Sequence, residues 1–333
     1  LDPNFRIGDD GEMKLLRNDV VEELLEDFYA KVREDRRYLN FVESYATGKN
    51  DAGLADLIFT IYDFSMSYPW PLKWLEECRR AYEIEDVQGL ERAVWMRPLL
   101  ENVGLLLEEC EANVRQALEI CRESDGPYMY EAALLDDLVT VQECQSAGTY
   151  VEYADAFCNL GAFSRLSAKK DAAVSEEKRE QVKEIREQVK KYMKSLQEQY
   201  FYQSPEAMAA DIRGSREQME VLLGLAEEFH GRFAAKKRER NLLDFNDLEH
   251  MALEILVREE DGKAVPTDAA GQFADAFEEI MIDEYQDSNL VQEYILTSVS
   301  RRQRGVHNVF MVGDVKQSIY RFRLARPELF MEK

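Results

Sequence analysis

Histidine is scarce in this chain: His230, His250 and His307 are the only three among 333 residues, and they are scattered. That leaves little material for imidazole catalysis or a histidine metal site. The five cysteines, Cys78, Cys110, Cys121, Cys144 and Cys158, form no Cys-x-x-Cys pair. A thiolate metal site and a disulfide framework are therefore not indicated, and free thiols in a reducing cytoplasm are expected. No apolar run approaches the roughly 20 residues needed to cross a bilayer, so no membrane partner is expected. No basic-then-apolar leader opens the chain, which starts at Leu1 rather than at a methionine. Internal repeats and low-complexity tracts are absent too. So is the phosphate-gripping loop Gly-x-x-x-x-Gly-Lys-Ser/Thr. Its nearest approximations, Gly48-Lys49-Asn50 and Gly262-Lys263-Ala264, lack the hydroxyl residue, and Glu43 and Val257 stand where the first glycine belongs.

Hydrophobic residues make up 45% and charged residues 32%, which is ordinary for a soluble globular protein. The length suits two domains with a substantial core. A net charge of −24 argues against general affinity for nucleic acid. The charge is unevenly spread: residues 1–160 carry 15 Lys and Arg against 34 Asp and Glu, residues 161–333 carry 27 against 32. Basic clusters occur at Lys236-Lys237-Arg238-Arg240, Arg301-Arg302-Arg304 and Arg321-Arg323-Arg326. Any contact with nucleic acid should be local to such places.

Most of the chain reads as helix. Residues 1–10 are polar and irregular. From about Met13 the residues Leu15, Leu16, Val20, Val21, Leu24, Leu25 and Phe28 recur at three- and four-residue steps. Further helices are expected over about 31–47, 51–67, 71–83, 87–122 and 128–148. Prolyl breaks lie at Ser67–Pro71 and Ser124–Pro127. Residues 168–200 carry a near-heptad stripe of Val182, Ile185, Val189, Tyr192 or Met193, and Leu196. A second long helix over 206–240 carries Met219, Leu222, Leu223, Ala226, Phe229 and Phe233. With a turn at Tyr200–Pro205 the two predict a long antiparallel helical hairpin. Asn241–Val257 opens with a capping signal at Asp244. A loop at Glu259–Lys263 and a helix over Ala269–Phe277 follow.

Two short apolar runs break the pattern. Ile280-Met281-Ile282 leads into Asp283-Glu284-Tyr285-Gln286-Asp287-Ser288, and Val309–Val312 leads into Gly313-Asp314-Val315-Lys316-Gln317-Ser318-Ile319-Tyr320-Arg321-Phe322-Arg323. Each run fits a strand buried on both faces, as in a parallel sheet. Acids at such a strand's end emerge at the carboxyl edge, where α/β folds bind ligands. One carboxylate there can hold Mg²⁺, and its neighbour can deprotonate a water attacking a metal-held phosphate. Aromatics interleaved with arginines, as in the second segment, suit base stacking and phosphate tracking.

Together the two segments resemble motif II (the Walker B box) and motif III of superfamily 1 helicases of the UvrD/Rep type. Leu1-Asp2-Pro3-Asn4-Phe5-Arg6 and Leu243-Asp244-Phe245-Asn246-Asp247-Leu248 most resemble the AddA component of AddAB-type helicase–nucleases. The resemblance implies part of a P-loop NTPase (RecA-like) α/β domain over 236–333, an all-helical insertion over 15–235 holding the hairpin, and a connecting segment over 1–14. It also implies ATP and Mg²⁺ as cofactors, with Asp283 on the metal and Glu284 as the base toward water. Gln286 and Gln317 would sense the γ-phosphate, and Tyr320, Phe322 and Arg323 would contact DNA. Phe322 stands where many relatives carry tryptophan. Implied partners are single-stranded and duplex DNA and the second component of an AddAB-type heterodimer. The intact protein would translocate, unwind and process double-strand breaks; this chain, without a Walker A box, would not turn over ATP. A UvrD-like repair helicase without nuclease, and a non-catalytic helical interaction module, are the alternatives.

Overall fold

The structure, a computed structural model, describes residues 4–32, 35–45, 52–260, 263–317, 325–326 and 328–331. The chain forms two compact units, Leu1–Arg80 with Glu217–Lys333, and Ala81–Arg216. The first unit opens with β1 (Arg6–Ile7), α1 (Asp10–Val32), α2 (Arg36–Tyr45), α3 (Ala52–Met66) and α4 (Pro71–Arg80). The second contains α5 (Val87–Glu91), α6 (Met96–Arg122), α7 (Glu131–Gln145), α8 (Tyr150–Cys158), α9 (Glu176–Tyr200) and the first turns of α10 (Pro205–Glu239). The chain then completes the first unit with β2 (Leu242–Leu243), α11 (Phe245–Leu256), β3 (Val257–Glu260), β4 (Lys263–Pro266), α12 (Asp268–Ala276) and β5 (Ile280–Ile282). Last come α13 (Leu290–Ser298), β6 (Val309–Met311) and α14 (Glu328–Met331).

In the second unit, α6 is the central post. Val103, Leu107, Cys110, Val114, Ala117 and Cys121 recur at alternating steps of four and three, forming one buried stripe along it. The matching stripe on α9 is Val182, Arg186, Val189, Met193 and Leu196. Arg186 thus occupies a core position, 2% exposed, and its guanidinium pairs with Asp137 of α7, 1% exposed. It donates to Asp137 Oδ1 at 2.9 Å and to the Ser164 carbonyl at 2.6 Å. A charge buried this deeply persists only when paired and hydrogen-bonded. Burial pushes the Cys110 thiol up to about 12 and the Cys144 thiol to about 11.

The expected antiparallel pairing of a 168–200 helix with a 206–240 helix does not form. α9 starts only at Glu176, with Ser175 capping it, and packs along α6. The Leu222, Leu225, Phe229 and Phe233 stripe of α10 instead packs in the first unit with Leu16, Val20, Leu24 and Phe28 of α1 and Leu54 and Ile58 of α3. α9 buries its stripe against α6, and the arginine within that stripe is met by Asp137 of α7.

Other local expectations also shift. The 87–122 helix is broken between Glu91 and Met96. Residues 6–7, expected to be irregular, form β1, which pairs in parallel with β2 through Arg6↔Leu242 and Ile7↔Leu243. Glu259, Glu260 and Lys263, expected in a loop, belong to β3 and β4, which pair antiparallel from Val257↔Pro266 to Glu260↔Lys263. The units divide after Arg80 and after Arg216; within the first, α1 and α3 share a core with the latter half of α10 and with Leu242.

Candidate functional site

β5 and β6 pair in parallel, in the register Ile280↔Val309, Met281↔Phe310 and Ile282↔Met311. Their alignment is stapled at the start by the buried Asn308. Its carbonyl accepts from Ile280 N–H at 2.8 Å, and its side chain engages Arg301 N–H and the Phe277 carbonyl. Ile280 packs against a core of Leu253, Leu256, Val291 and Val299. The opposite face is open: Met281 is 75% and Phe310 65% exposed. The strands therefore bury one face in this chain, not the two expected. Among the described residues they pair only with each other.

Both motif segments leave this pair at one edge. Val312 N–H donates to the Ile282 carbonyl and Tyr285 N–H donates to the Val312 carbonyl, each at 2.9 Å, so the two strand ends are tied beyond the ladder. Asp283 and Glu284 emerge exposed. Glu284 sits in the left-handed region (φ 50°, ψ 39°), a conformation that costs a non-glycine residue about 1 kcal/mol or more. Asp283 Oδ1 accepts from Glu284 N–H at 2.9 Å, and the Glu284 carbonyl accepts from Asp287 N–H at 2.9 Å, which hold the turn.

Gln286 is the centre of the arrangement. It is 0% exposed; its Nε2 donates to Glu284 Oε2 at 2.6 Å, and its Oε1 accepts from Asp314 N–H at 2.9 Å. Asp314 in turn accepts from Lys316 N–H at 2.9 Å and from Gln317 Nε2 at 3.0 Å. A continuous chain, Glu284–Gln286–Asp314–Gln317, thereby joins the two segments. Gly313 makes it possible: a Cβ there would lie 2.5 Å from Gln286 Oε1 and 3.3 Å from Gln286 N. A glycine that ends an apolar run suits a tight turn; here it also serves close approach.

Of the residues singled out by sequence, Asp283, Glu284 and Gln317 share the exposed edge. Gln286 does not face outward; with both amide ends engaged, it bridges the base candidate to the second segment. Tyr320, Phe322 and Arg323 lie outside the described residues. Sequence reasoning gave no role to Asp314 or Tyr285, although each lies inside the motifs. Among the described residues no three His, Cys, Asp or Glu side chains converge on a metal. One exposed carboxylate at a strand end still suits Mg²⁺, which takes one or two carboxylates and completes its shell with waters and phosphate oxygens.

Among the described residues of the basic clusters, Lys237, Arg301, Arg304 and Arg326 are engaged within the fold. Lys237 is 3% exposed; it donates to Asp244 at 2.8 Å and Asp247 at 2.7 Å and lies over the Phe233 ring. The two acids form the capping box of α11, as the Asp244 signal led us to expect. Arg301 donates to the Ala274 and Asp275 carbonyls at the end of α12, and Arg304 pairs with Asp275. Arg326 lies 5.5 Å from the Tyr68 ring centroid. Among the described residues, charge clusters along the sequence thus overstate the free positive surface.

Residues 98–333 match the model of the UvrD/REP helicase N-terminal domain. The chain belongs to the UvrD/REP helicase family. It is 48% identical over its whole length to the AddA-type ATP-dependent helicase/nuclease protein of Lachnoclostridium phytofermentans, of which it covers 24%. The proteins of the same name from Clostridium beijerinckii and Clostridium botulinum are 43% and 41% identical over the whole chain, which covers 27% of each. The chain thus spans about a quarter of the length of these UvrD/REP relatives. It is mostly helical with few strands, and among the described residues no helix is long and apolar enough to cross a membrane.

Proposed function

We propose that this chain is part of an ATP-driven DNA motor of the helicase–nuclease kind, carrying motifs II and III of its first motor domain. The observation that carries the reading is the parallel β5–β6 pair with its Glu284–Gln286–Asp314–Gln317 chain, which brings two sequence-distant segments to one edge. Residues 236–333 then form the closing part of a RecA-like domain, and 15–235 an insertion into it, reached through 1–14. The similar proteins' designation as ATP-dependent helicase/nuclease components supports ATP as the nucleotide and DNA as the track.

In this reading Asp283 holds Mg²⁺, which when bound neutralises phosphate oxygens. Glu284 accepts the proton of the attacking water. Gln317, exposed at the rim, meets the γ-phosphate, and Gln286 acts through Glu284, fixing its carboxylate. Tyr320, Phe322 and Arg323 follow Gln317 in sequence and supply stacking and charge for single-stranded DNA. Duplex DNA ahead of the motor and the other half of a heterodimer complete the assembly, which serves break repair in the cytoplasm. With no phosphate loop in its sequence, this chain alone does not turn over ATP.

The test is Glu284→Gln in the intact protein. Mg²⁺-dependent, DNA-stimulated ATP hydrolysis should disappear while nucleotide binding persists. Turnover at the wild-type rate would remove Glu284 from its role and leave the motor reading without its base.

A further inference from the structure

Tyr285 stands between the proposed base and the bridging amide, yet the motif chemistry gives it nothing to do. It is wholly buried, and its hydroxyl donates to the Glu293 carboxylate of α13. Glu293 is itself buried, and its other oxygen accepts from Thr297 Oγ1 at 3.0 Å. Burial, reinforced by the hydrogen bond to Glu293, pushes the phenol pKa well above its usual value, so the hydroxyl remains a donor.

The acceptor is firmly placed. Asn289 and Gln292 form a capping box at the start of α13. Glu249 of α11 accepts from Gln292 Nε2 at 2.8 Å and from Asn289 Nδ2 at 3.4 Å, tying the two helices. Tyr285 is thus fastened twice, by its N–H to the Val312 carbonyl after β6 and by its hydroxyl to α13. Glu284 lies between this doubly held residue and the end of β5, and it is the residue that adopts the left-handed conformation.

We propose that the Tyr285–Glu293 pair is a positioning device: it braces the turn against α13 so that Glu284 is kept left-handed, with its carboxylate on Gln286. This role rests on the reading of Glu284 as the base. Without the hydroxyl anchor the turn can relax toward ordinary backbone angles, which would carry the carboxylate away from the rim.

The experiment uses the intact protein and three variants: Tyr285→Phe, Glu293→Leu, and the two combined. Removing both partners leaves neither a buried phenol nor a buried carboxylate unpaired, at the loss of the half-buried Thr297 Oγ1 bond, so the double variant should keep a Tm close to wild type. Each single variant and the double should lower kcat about tenfold, by similar amounts, with KM for ATP unchanged. Wild-type kcat in Tyr285→Phe overturns the proposal. So do losses that add in the double variant, and so does a rise in KM that accounts for the loss, which would signal general loosening. An intact wild-type protein without Mg²⁺-dependent turnover overturns the motor reading and this role with it; wild-type turnover that Tyr285→Phe leaves untouched overturns this role alone.

Discussion

Adding one methyl group at Gly313 should break the link between the two motif segments. The added carbon would sit 2.5 Å from Gln286 Oε1, about an ångström inside van der Waals contact. A flexible side chain could swing away, but Gln286 is fully buried and bonded at both ends of its amide. Moving it forfeits the Asp314 N–H bond and the bond to Glu284, and leaves a buried amide short of partners. At about 1 kcal/mol for the neutral bond and somewhat more for the charged one, Gly313→Ala should cost about 2–3 kcal/mol. Urea denaturation of this chain reads that loss, and hydrogen exchange at the Asp314 amide reads the specific bond. An unchanged midpoint together with full protection at Asp314 would show that the Gly313 contact is not what holds the segments together.

In the second unit, Asp137→Ala strands a buried guanidinium and should destabilise the chain by about 3–5 kcal/mol in urea. Arg186→Met with Asp137→Leu should fall within about 1–2 kcal/mol of wild type or exceed it, and a double variant as damaged as the single would contradict the packing account. His230 gives a pH dependence of known sign. Burial, with Lys237 nearby, lowers its pKa below the usual histidine value, so the folded chain binds fewer protons than the unfolded one. Stability should therefore be fully present above about pH 6.5 and decline as pH falls below it. His230→Gln should flatten that decline in melts between pH 7.5 and 5; an equally steep slope would assign the loss to other groups.

Local signals in the sequence translated well. Of the apolar residues that marked α1, Leu16, Val20, Val21, Leu24, Leu25 and Phe28 are buried while Leu15 is exposed, and Asp244 caps α11. Thr149 and Glu152 form a capping box at α8 whose Thr-x-x-Glu spacing was equally legible. Non-local pairing left no such trace. β1 is two residues long and its partner β2 lies more than two hundred residues away, so no periodicity could announce it. The stripe on α9 said that one face is buried, not that α6 would cover it or that Asp137 of α7 would meet Arg186.

At the proposed site the same division holds. Residue identity alone placed two carboxylates and an amide at the ends of two apolar runs, because side-chain chemistry and short-range pattern are properties of the chain itself. The pairing register of β5 with β6 brought Asp314 to Gln286. That register also turned Gln286 inward as a bridge, while packing elsewhere in the unit buried Lys237 between two acids and gave Tyr285 a buried carboxylate to hold. Those roles depend on distances between residues remote in sequence, which are set only when the elements pack and water is excluded between them.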